Sequence, residues 1–379
     1  MSDSNNTRDW DNFAASVATP AYLYSFQSIR DKILEIQSAF SYRAVTVLFA
    51  TMANDTPEVL KTVSSMGVGA CVNSWRHLTA ARLAGIPEEM IHFTASGVRR
   101  DDMERLASTS VTVNLDSLAQ IDAWLTLSGR PFGVRVNSSL LRQASQLPVD
   151  RLGVAPNEVL SLIDRKRCPT GLHVYAGTNF CRVQDILPAI DGLFEFASNI
   201  PGLTYLNLGG GVGIDYKRNG TEFNLSEFGS HVSASAADLN AKRDQPINIF
   251  FEPGRSLIGG MGVFVTEVTD IKFLNGTRYV TVDGSIAVFP RPFHNPDCPH
   301  FVRPVRKIVA GRTDKPSVWS ECYVVGRTTF SRDILAKCSL PQNLATGDRL
   351  IFEDGGAYCE SMMSQFLGQE PPARCFIDS

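Results

Sequence analysis

No stretch of this 379-residue chain approaches eighteen consecutive apolar residues, so nothing in it reads as a membrane-spanning helix. An excess of positive charge is also missing. Lys and Arg number 36 against 39 Asp and Glu, a net charge of −3, which removes the electrostatic footprint of a nucleic-acid-binding protein. The eight cysteines show no C-x-x-C pairing, so neither a disulfide framework nor a zinc or other metal site is indicated and a reduced compartment is expected. Cys71 and Cys322 sit in apolar runs and read as small core residues. The opening Met1-Ser2-Asp3-Ser4-Asn5-Asn6 is polar and lacks the apolar core of a signal peptide, so a cytoplasmic protein is expected. Low-complexity tracts are absent too.

What is present is a pair of motifs suited to cradling an anion. The first is Leu206-Asn207-Leu208-Gly209-Gly210-Gly211-Val212-Gly213; the second is Phe250-Phe251-Glu252-Pro253-Gly254-Arg255. Each begins as a short apolar strand and breaks into residues that let backbone N–H groups approach a ligand. A glycine run alone is simply a turn. At the ends of two consecutive strands, with Glu and Arg at the second, it points to a phosphate site.

Between about Arg43 and Gly254 the chain alternates two patterns. Apolar runs at Val45–Thr51, Val68–Val72, Ile91–Ala95, Val111–Leu115, Phe132–Val136, Gly171–Ala176, Tyr205–Gly209 and Ile247–Glu252 read as strands covered on both faces. Helix starts lie between them, at Asp55-Thr56-Pro57-Glu58, Asp116-Ser117 and Ala155-Pro156-Asn157-Glu158. Eight such units predict an α/β fold, a (β/α)8 TIM barrel; a doubly wound open sheet is the competing arrangement, and the even spacing favours closure. In these barrels phosphate commonly binds after strands 7 and 8, where the two motifs fall.

Beyond Gly259 the pattern changes to short β-branched runs, Val263–Val268, Arg278–Val282, Cys322–Val325 and Arg349–Phe352, predicting a C-terminal antiparallel β domain. The early Ala21-Tyr22-Leu23-Tyr24 strand is expected to join it. The expected division is a barrel over 25–258 and a β domain from 1–24 and 259–379.

Taken together these motifs resemble the fold-type III pyridoxal-phosphate decarboxylases, among them the diaminopimelate, ornithine and arginine decarboxylases. The resemblance runs from Tyr22 to Asp378. It is supported by Val113-Asn114-Leu115-Asp116-Ser117, Arg135-Val136-Asn137, Arg151-Leu152-Gly153-Val154 and Gly356-Ala357-Tyr358. It implies that Gly209, Gly210, Gly211, Gly254 and Arg255 cradle the phosphate of pyridoxal 5′-phosphate, that Tyr358 reaches the same phosphate, and that Arg135 belongs to the cofactor set. Glu252 falls on the acid that pairs with the pyridine nitrogen and keeps the ring an electron sink; the plainer alternative is a salt bridge to Arg255. Arg291, Arg327 and Asp333 are the implied contacts for an amino-acid-like substrate, and a homodimer with sites completed across its interface is expected.

The departures bear on chemistry. The family ends strand 1 with Tyr-Ala-Val-Lys-Ala-Asn, its lysine forming the Schiff base, but this chain reads Phe49-Ala50-Thr51-Met52-Ala53-Asn54. A thioether at Met52 forms no imine, so the cofactor is expected to bind noncovalently if it binds at all. Lys61, Lys166, Lys217, Lys242 and Lys272 fall outside recognised strand ends; Lys337, in the β domain, is the least implausible substitute. The Gly-Pro-x-Cys-Glu/Asp element is replaced by Gly326-Arg327-Thr328-Thr329-Phe330, placing Thr329 at the cysteine and Phe330 at the acid. A threonine hydroxyl is far too weak an acid to replace a thiol. Tyr175 stands for the ring-stacking histidine, a change an aromatic face tolerates. His173, His77 and His294 read as ordinary structural residues.

Two functions compete: an amino-acid decarboxylase-like enzyme of altered mechanism, and an inert pseudoenzyme serving as a regulatory or binding subunit. An engineered lysine variant is a third possibility, disfavoured because Met52 and Thr329 are changed together. Retention of Glu252 favours a site that still holds a protonated heterocycle.

Overall fold

The computed structural model describes residues 10–141, 150–164, 167–305 and 318–377. Met1–Asn6, Lys166 and Asp378, singled out in the sequence, lie outside these. The chain divides into two compact units, one built on Ile29–Ile214 and Gly220–Leu257, the other on Met1–Ser28, Asp215–Asn219 and Ile258–Ser379.

Strand β1 (Ala21–Ser25) belongs to the second unit. The first unit is a closed parallel barrel of β2 (Val45–Ala50), β3 (Gly69–Val72), β4 (Ile91–Thr94), β5 (Thr112–Leu115), β6 (Gly133–Val136), β7 (Gly171–Val174), β8 (Tyr205–Asn207) and β9 (Asn248–Phe251). Each strand pairs with the next, and β9 returns to β2 through Val45↔Ile249. The apolar runs thus mark the strands to within a few residues, and the open sheet is excluded. Helix starts follow the sequence cues unevenly. Ser117 caps Leu118–Leu127 by accepting from Gln120 N, and Glu158 reaches back to Ala155 N at Pro156–Asp164. Thr56 occupies the cap position before Pro57 without a side-chain capping bond. Inside the barrel Tyr205 fills space left by small residues: a Cβ at Gly133 or Gly171 would stand about 2 Å from its ring or hydroxyl.

The second unit is a mixed sheet. Strands β10 (Gly262–Leu274), β11 (Thr277–Val282), β12 (Val302–Pro304), β13 (Trp319–Val325), β14 (Ile334–Pro341), β15 (Arg349–Phe352) and β16 (Ala373–Ile377) run in the order β12-β15-β10-β11-β13-β14, with β1 beside β10 and β16. Most pairings are antiparallel as expected, but β11 with β13 and β1 with β16 are parallel. Those pairs link strands distant in sequence, and pairing direction leaves no trace in β-branched composition. β10, at 13 residues, is longer than its apolar run predicted; a register shift at Val268/Asp270 marks where its inner half, against β1 and β15, gives way to an exposed arm against β11. The core stacks Phe264 on Phe289, ring centroids 4.6 Å apart, beside Tyr22 and Phe352.

Candidate active site

The C-terminal ends of β8 and β9 lie side by side and interlock with their neighbours. Glu252 N donates to Gly209 O (2.8 Å), and Ala50 N at the end of β2 donates to Pro253 O (3.2 Å). Gly209 and Gly211 have φ of 64° and 97°, where a side chain is strained. Crowding is the second reason for glycine. A Cβ would lie 2.1 Å from Val174 O at Gly209, 2.3 Å from Glu252 O at Gly210 and 2.7 Å from Gly177 O at Gly211. Gly254 is less crowded, its virtual Cβ 3.0 Å from the Ala53 Cβ and 3.1 Å from that of Ala50, residues on either side of Met52 in the chain. The run is therefore closely fitted between β7 and β9, a constraint beyond the ligand access inferred from sequence.

Glu252, 7 % exposed, is gripped from several strands. Asn207 Nδ2 donates to its Oε1 at 2.7 Å, and His173 Nε2 lies 3.2 Å from Oε2. Asn207 Nδ2 also meets His92 Nδ1 at 3.1 Å, while its Oδ1 accepts from Gly209 N at 3.0 Å. Burial pushes the Glu252 carboxyl up, but His173, His92 and the Asn207 bond outweigh it and hold the group at about 2. Desolvation drives His92 down to about 4, so its ring is neutral near pH 7 and the hold on Glu252 comes from His173 and Asn207. Burial, then Glu252 itself, keeps the Cys71 thiol well above its usual range. The Glu252–Arg255 salt bridge considered from sequence is not among the ion pairs formed by Glu252 in the described residues.

Sequence alone gives no role to Asn207 or His92, and reads Cys71 as a small core residue and His173 as an ordinary structural one. The available signal was a polar residue inside a near-continuous apolar run, as in Ile91-His92-Phe93 and Leu206-Asn207-Leu208.

Met52 sits half-buried just past β2, in a turn that Thr51 anchors through N and Oγ1 to Cys71 O (3.0 and 2.9 Å). On β6, Arg135 pairs with Asp116 (3.3 Å) and lies 5.3 Å from the Tyr175 ring centroid. Asp116 is steadied by Ser96 Oγ and Gly153 N. The barrel unit thus brings together Met52, Glu252, Gly209–Gly211 and Gly254 around the ends of β2, β8 and β9, and Arg135 on β6 with Tyr175 just past β7. Among the described lysines, Lys61 and Lys242 are exposed on or beside helices, and Lys217, Lys272 and Lys337 are exposed in the other unit. None lies on a barrel strand.

In the second unit, Tyr358 is half-buried with φ 55°, an uncommon conformation for a bulky residue and the kind of strain that collects at functional positions. Arg327 and Thr329 are exposed on the loop between β13 and β14. The two substrate contacts expected in this unit are engaged within it. Asp333 is buried and accepts from Ile286 N (2.8 Å), Thr328 N (3.1 Å) and Thr328 Oγ1, so it staples the loop. Arg291, 2 % exposed, lies 3.5 Å over the Tyr216 ring and donates to Cys298 O and His300 Nε2, an internal hub of this unit. Phe330 packs edge-on against Phe293 and Phe366.

A closed parallel barrel with glycine-bearing ends on β8 and β9 and an ionised carboxylate beside them defines a cofactor-binding barrel. Residues 26–259 match the pyridoxal binding domain of pyridoxal-dependent decarboxylases. The chain belongs to that family, and its cofactor is accordingly pyridoxal phosphate. It is 26 % identical over 370 residues to a diaminopimelate decarboxylase of Helicobacter pylori, covering 92 % of this chain and 87 % of the relative. A probable chloroplastic diaminopimelate decarboxylase of Oryza sativa is 28 % identical over 387 residues, covering 96 % and 76 %. The crystal structure of the Helicobacter pylori enzyme complexed with L-lysine superposes with a TM-score of 0.84 at 24 % identity, over 98 % and 94 % of the two chains, a likeness of fold. Among the described residues no helix is long and apolar enough to cross a membrane.

The residues present fit part of this cofactor. A buried carboxylate held ionised is what a protonated pyridine nitrogen requires, and the crowded glycines leave no side chains at the strand ends. Covalent attachment at position 52 does not fit, because Met52 carries no amine.

Proposed function

We propose that this protein binds pyridoxal phosphate noncovalently at the C-terminal end of its barrel and acts there on an amino-acid-like ligand by a route that needs no lysine link. The observation that carries this reading is the coexistence of Met52 with a Glu252 whose ionisation is maintained by Asn207 and His173. Keeping a carboxylate charged inside a barrel is costly, and an inert barrel gains nothing from it.

When bound, pyridoxal phosphate supplies a protonated ring that accepts electron density from a carbon acid. Glu252 holds the proton at the ring nitrogen. Gly209, Gly210, Gly211, Gly254 and Arg255 bind the phosphate, and Tyr175, with Arg135 beside it, offers an aromatic face to the ring. The Met52 thioether excludes water and neither takes nor gives a proton. Thr329 would supply no acid at neutral pH. Similarity to diaminopimelate decarboxylases makes a diamino acid the first ligand to try. The protein is cytoplasmic and a homodimer in this proposal, with Arg327 offered to the anionic end of the ligand.

The loss of both Met52 and Thr329 positions to unreactive side chains supports a second reading, an inert subunit that binds the same ligand and regulates a partner. Carbon dioxide release from diaminopimelate, lysine and ornithine, measured with added pyridoxal phosphate, separates the two. Turnover abolished in Glu252→Gln favours the enzyme; saturable binding without turnover favours the subunit. Absence of any saturable pyridoxal phosphate binding contradicts both.

A further inference from the structure

Glu252 is held by two side chains of different standing. Asn207 is fully engaged: its amide donates to Glu252 and His92 and its carbonyl accepts from Gly209 N. His173, 3 % exposed, makes one polar contact through Nε2, and its Nδ1 is buried with no hydrogen-bond partner among the described residues. Leaving a polar atom unpaired inside a barrel costs stability that an apolar side chain would not. A residue kept at such a cost points to a role beyond filling space.

We infer that His173 is a positioning residue for Glu252, carrying its proton on Nε2 and donating it to Oε2, so that carboxylate orientation and charge are fixed before any ligand arrives. This rests on the proposed noncovalent site, in which Glu252 faces a ring nitrogen. Geometry requires a proton on Nε2. With the proton on Nδ1 alone, two lone pairs would face each other 3.2 Å apart, and the N–H would be buried without an acceptor. The other groups facing the carboxylate are the Cys71 thiol on β3, His92 on β4 through Asn207, and the neighbouring Tyr205 on β8. Arg135 on β6 stands in register with His173, but its guanidinium is committed to Asp116. His173 is therefore the replaceable part of the hold on Oε2.

The test uses ligand-free full-length protein labelled with 15N-histidine and 13C-carboxyl glutamate, with Glu252→Gln and His173→Gln as assignment controls. The wild type should show a proton on His173 Nε2, and an ionised Glu252 across about pH 5–8. In His173→Leu the Glu252 midpoint should rise by about one unit or more, whereas His173→Gln, which keeps a donor, should leave it within about half a unit. An Nδ1–H tautomer, an unmoved midpoint in His173→Leu, or equal rises in both variants would overturn the inference. If His173→Leu fails to fold, the tautomer and the Gln variant still decide. A wild type that binds no pyridoxal phosphate in a parallel titration contradicts the proposed function, while the resonances judge His173 separately.

Discussion

Asn207 Nδ2 donates to Glu252 Oε1 across 2.7 Å, and the same Asn207 accepts from the backbone of Gly209. One side chain thus ties the buried acid of the second motif to the glycine run of the first. The motifs are some forty residues apart in the chain yet form one unit in space, because β8 and β9 are adjacent parallel strands.

Acid should therefore weaken the fold in two stages. His92 is depressed from 6.5 to about 4, so the folded state binds fewer protons than the unfolded one, and this contribution, present above about 6.5, is lost as pH falls toward 4. Glu252, depressed from 4.5 to about 2, acts in the same sense over that lower window. Denaturant titrations at stepped pH should show stability declining on acidification, with His92→Gln flattening the upper stage and leaving the lower. An unchanged slope between pH 6.5 and 4 in that variant would contradict the assignment.

Gly210 should tolerate no side chain. A Cβ there would stand 2.3 Å from Glu252 O, a backbone atom that moves only by shifting β9. Gly210→Ala should cost about 1–3 kcal/mol and weaken pyridoxal phosphate binding, measured by denaturation and by absorbance titration. Gly220→Ala, with open space around it but positive φ, should lose stability without losing affinity.

Much of the barrel was legible because parallel strands covered on both faces must be apolar almost throughout, and eight such runs left little choice of closure. The mixed direction of the second sheet was not, since pairing partners are set by long-range contacts. At the site, glycines and acids announced themselves as motif. The polar hold on Glu252 did not, because His92, His173 and Asn207 each look like a stray polar residue until the barrel brings them together. Asp333 and Arg291 show the converse: their side-chain types suit a ligand, and nothing in the sequence signals that Asp333 also accepts from the Ile286 backbone or that Arg291 lies over the Tyr216 ring.

Replacing Met52 by lysine should supply the missing amine. Met52→Lys is expected to form a borohydride-reducible link to pyridoxal phosphate, seen as a phosphopyridoxyl mass increase on the peptide containing residue 52. Turnover should remain poor, since Thr329 and Phe330 provide no acid. Efficient decarboxylation by the single variant would show that the Thr329 replacement is no loss.

Arg327 is exposed in the single chain, and in the proposed homodimer it meets the ligand's anionic end. Loss of a buried charge-assisted pair costs about 2–5 kcal/mol, whereas an arginine left on the surface contributes about 0–1 kcal/mol. Arg327→Ala should therefore weaken ligand binding about 30-fold or more while sedimentation still reports a dimer. A monomeric wild type, or unchanged affinity in the variant, would count against this placement.

The central claim is binding without a covalent link, and it is tested most directly by equilibrium dialysis of the wild-type protein with pyridoxal phosphate, followed by borohydride reduction and intact mass. Saturable binding with the protein mass unchanged after reduction is the predicted result. A stable phosphopyridoxyl adduct on any lysine, or no saturable binding at all, would contradict it.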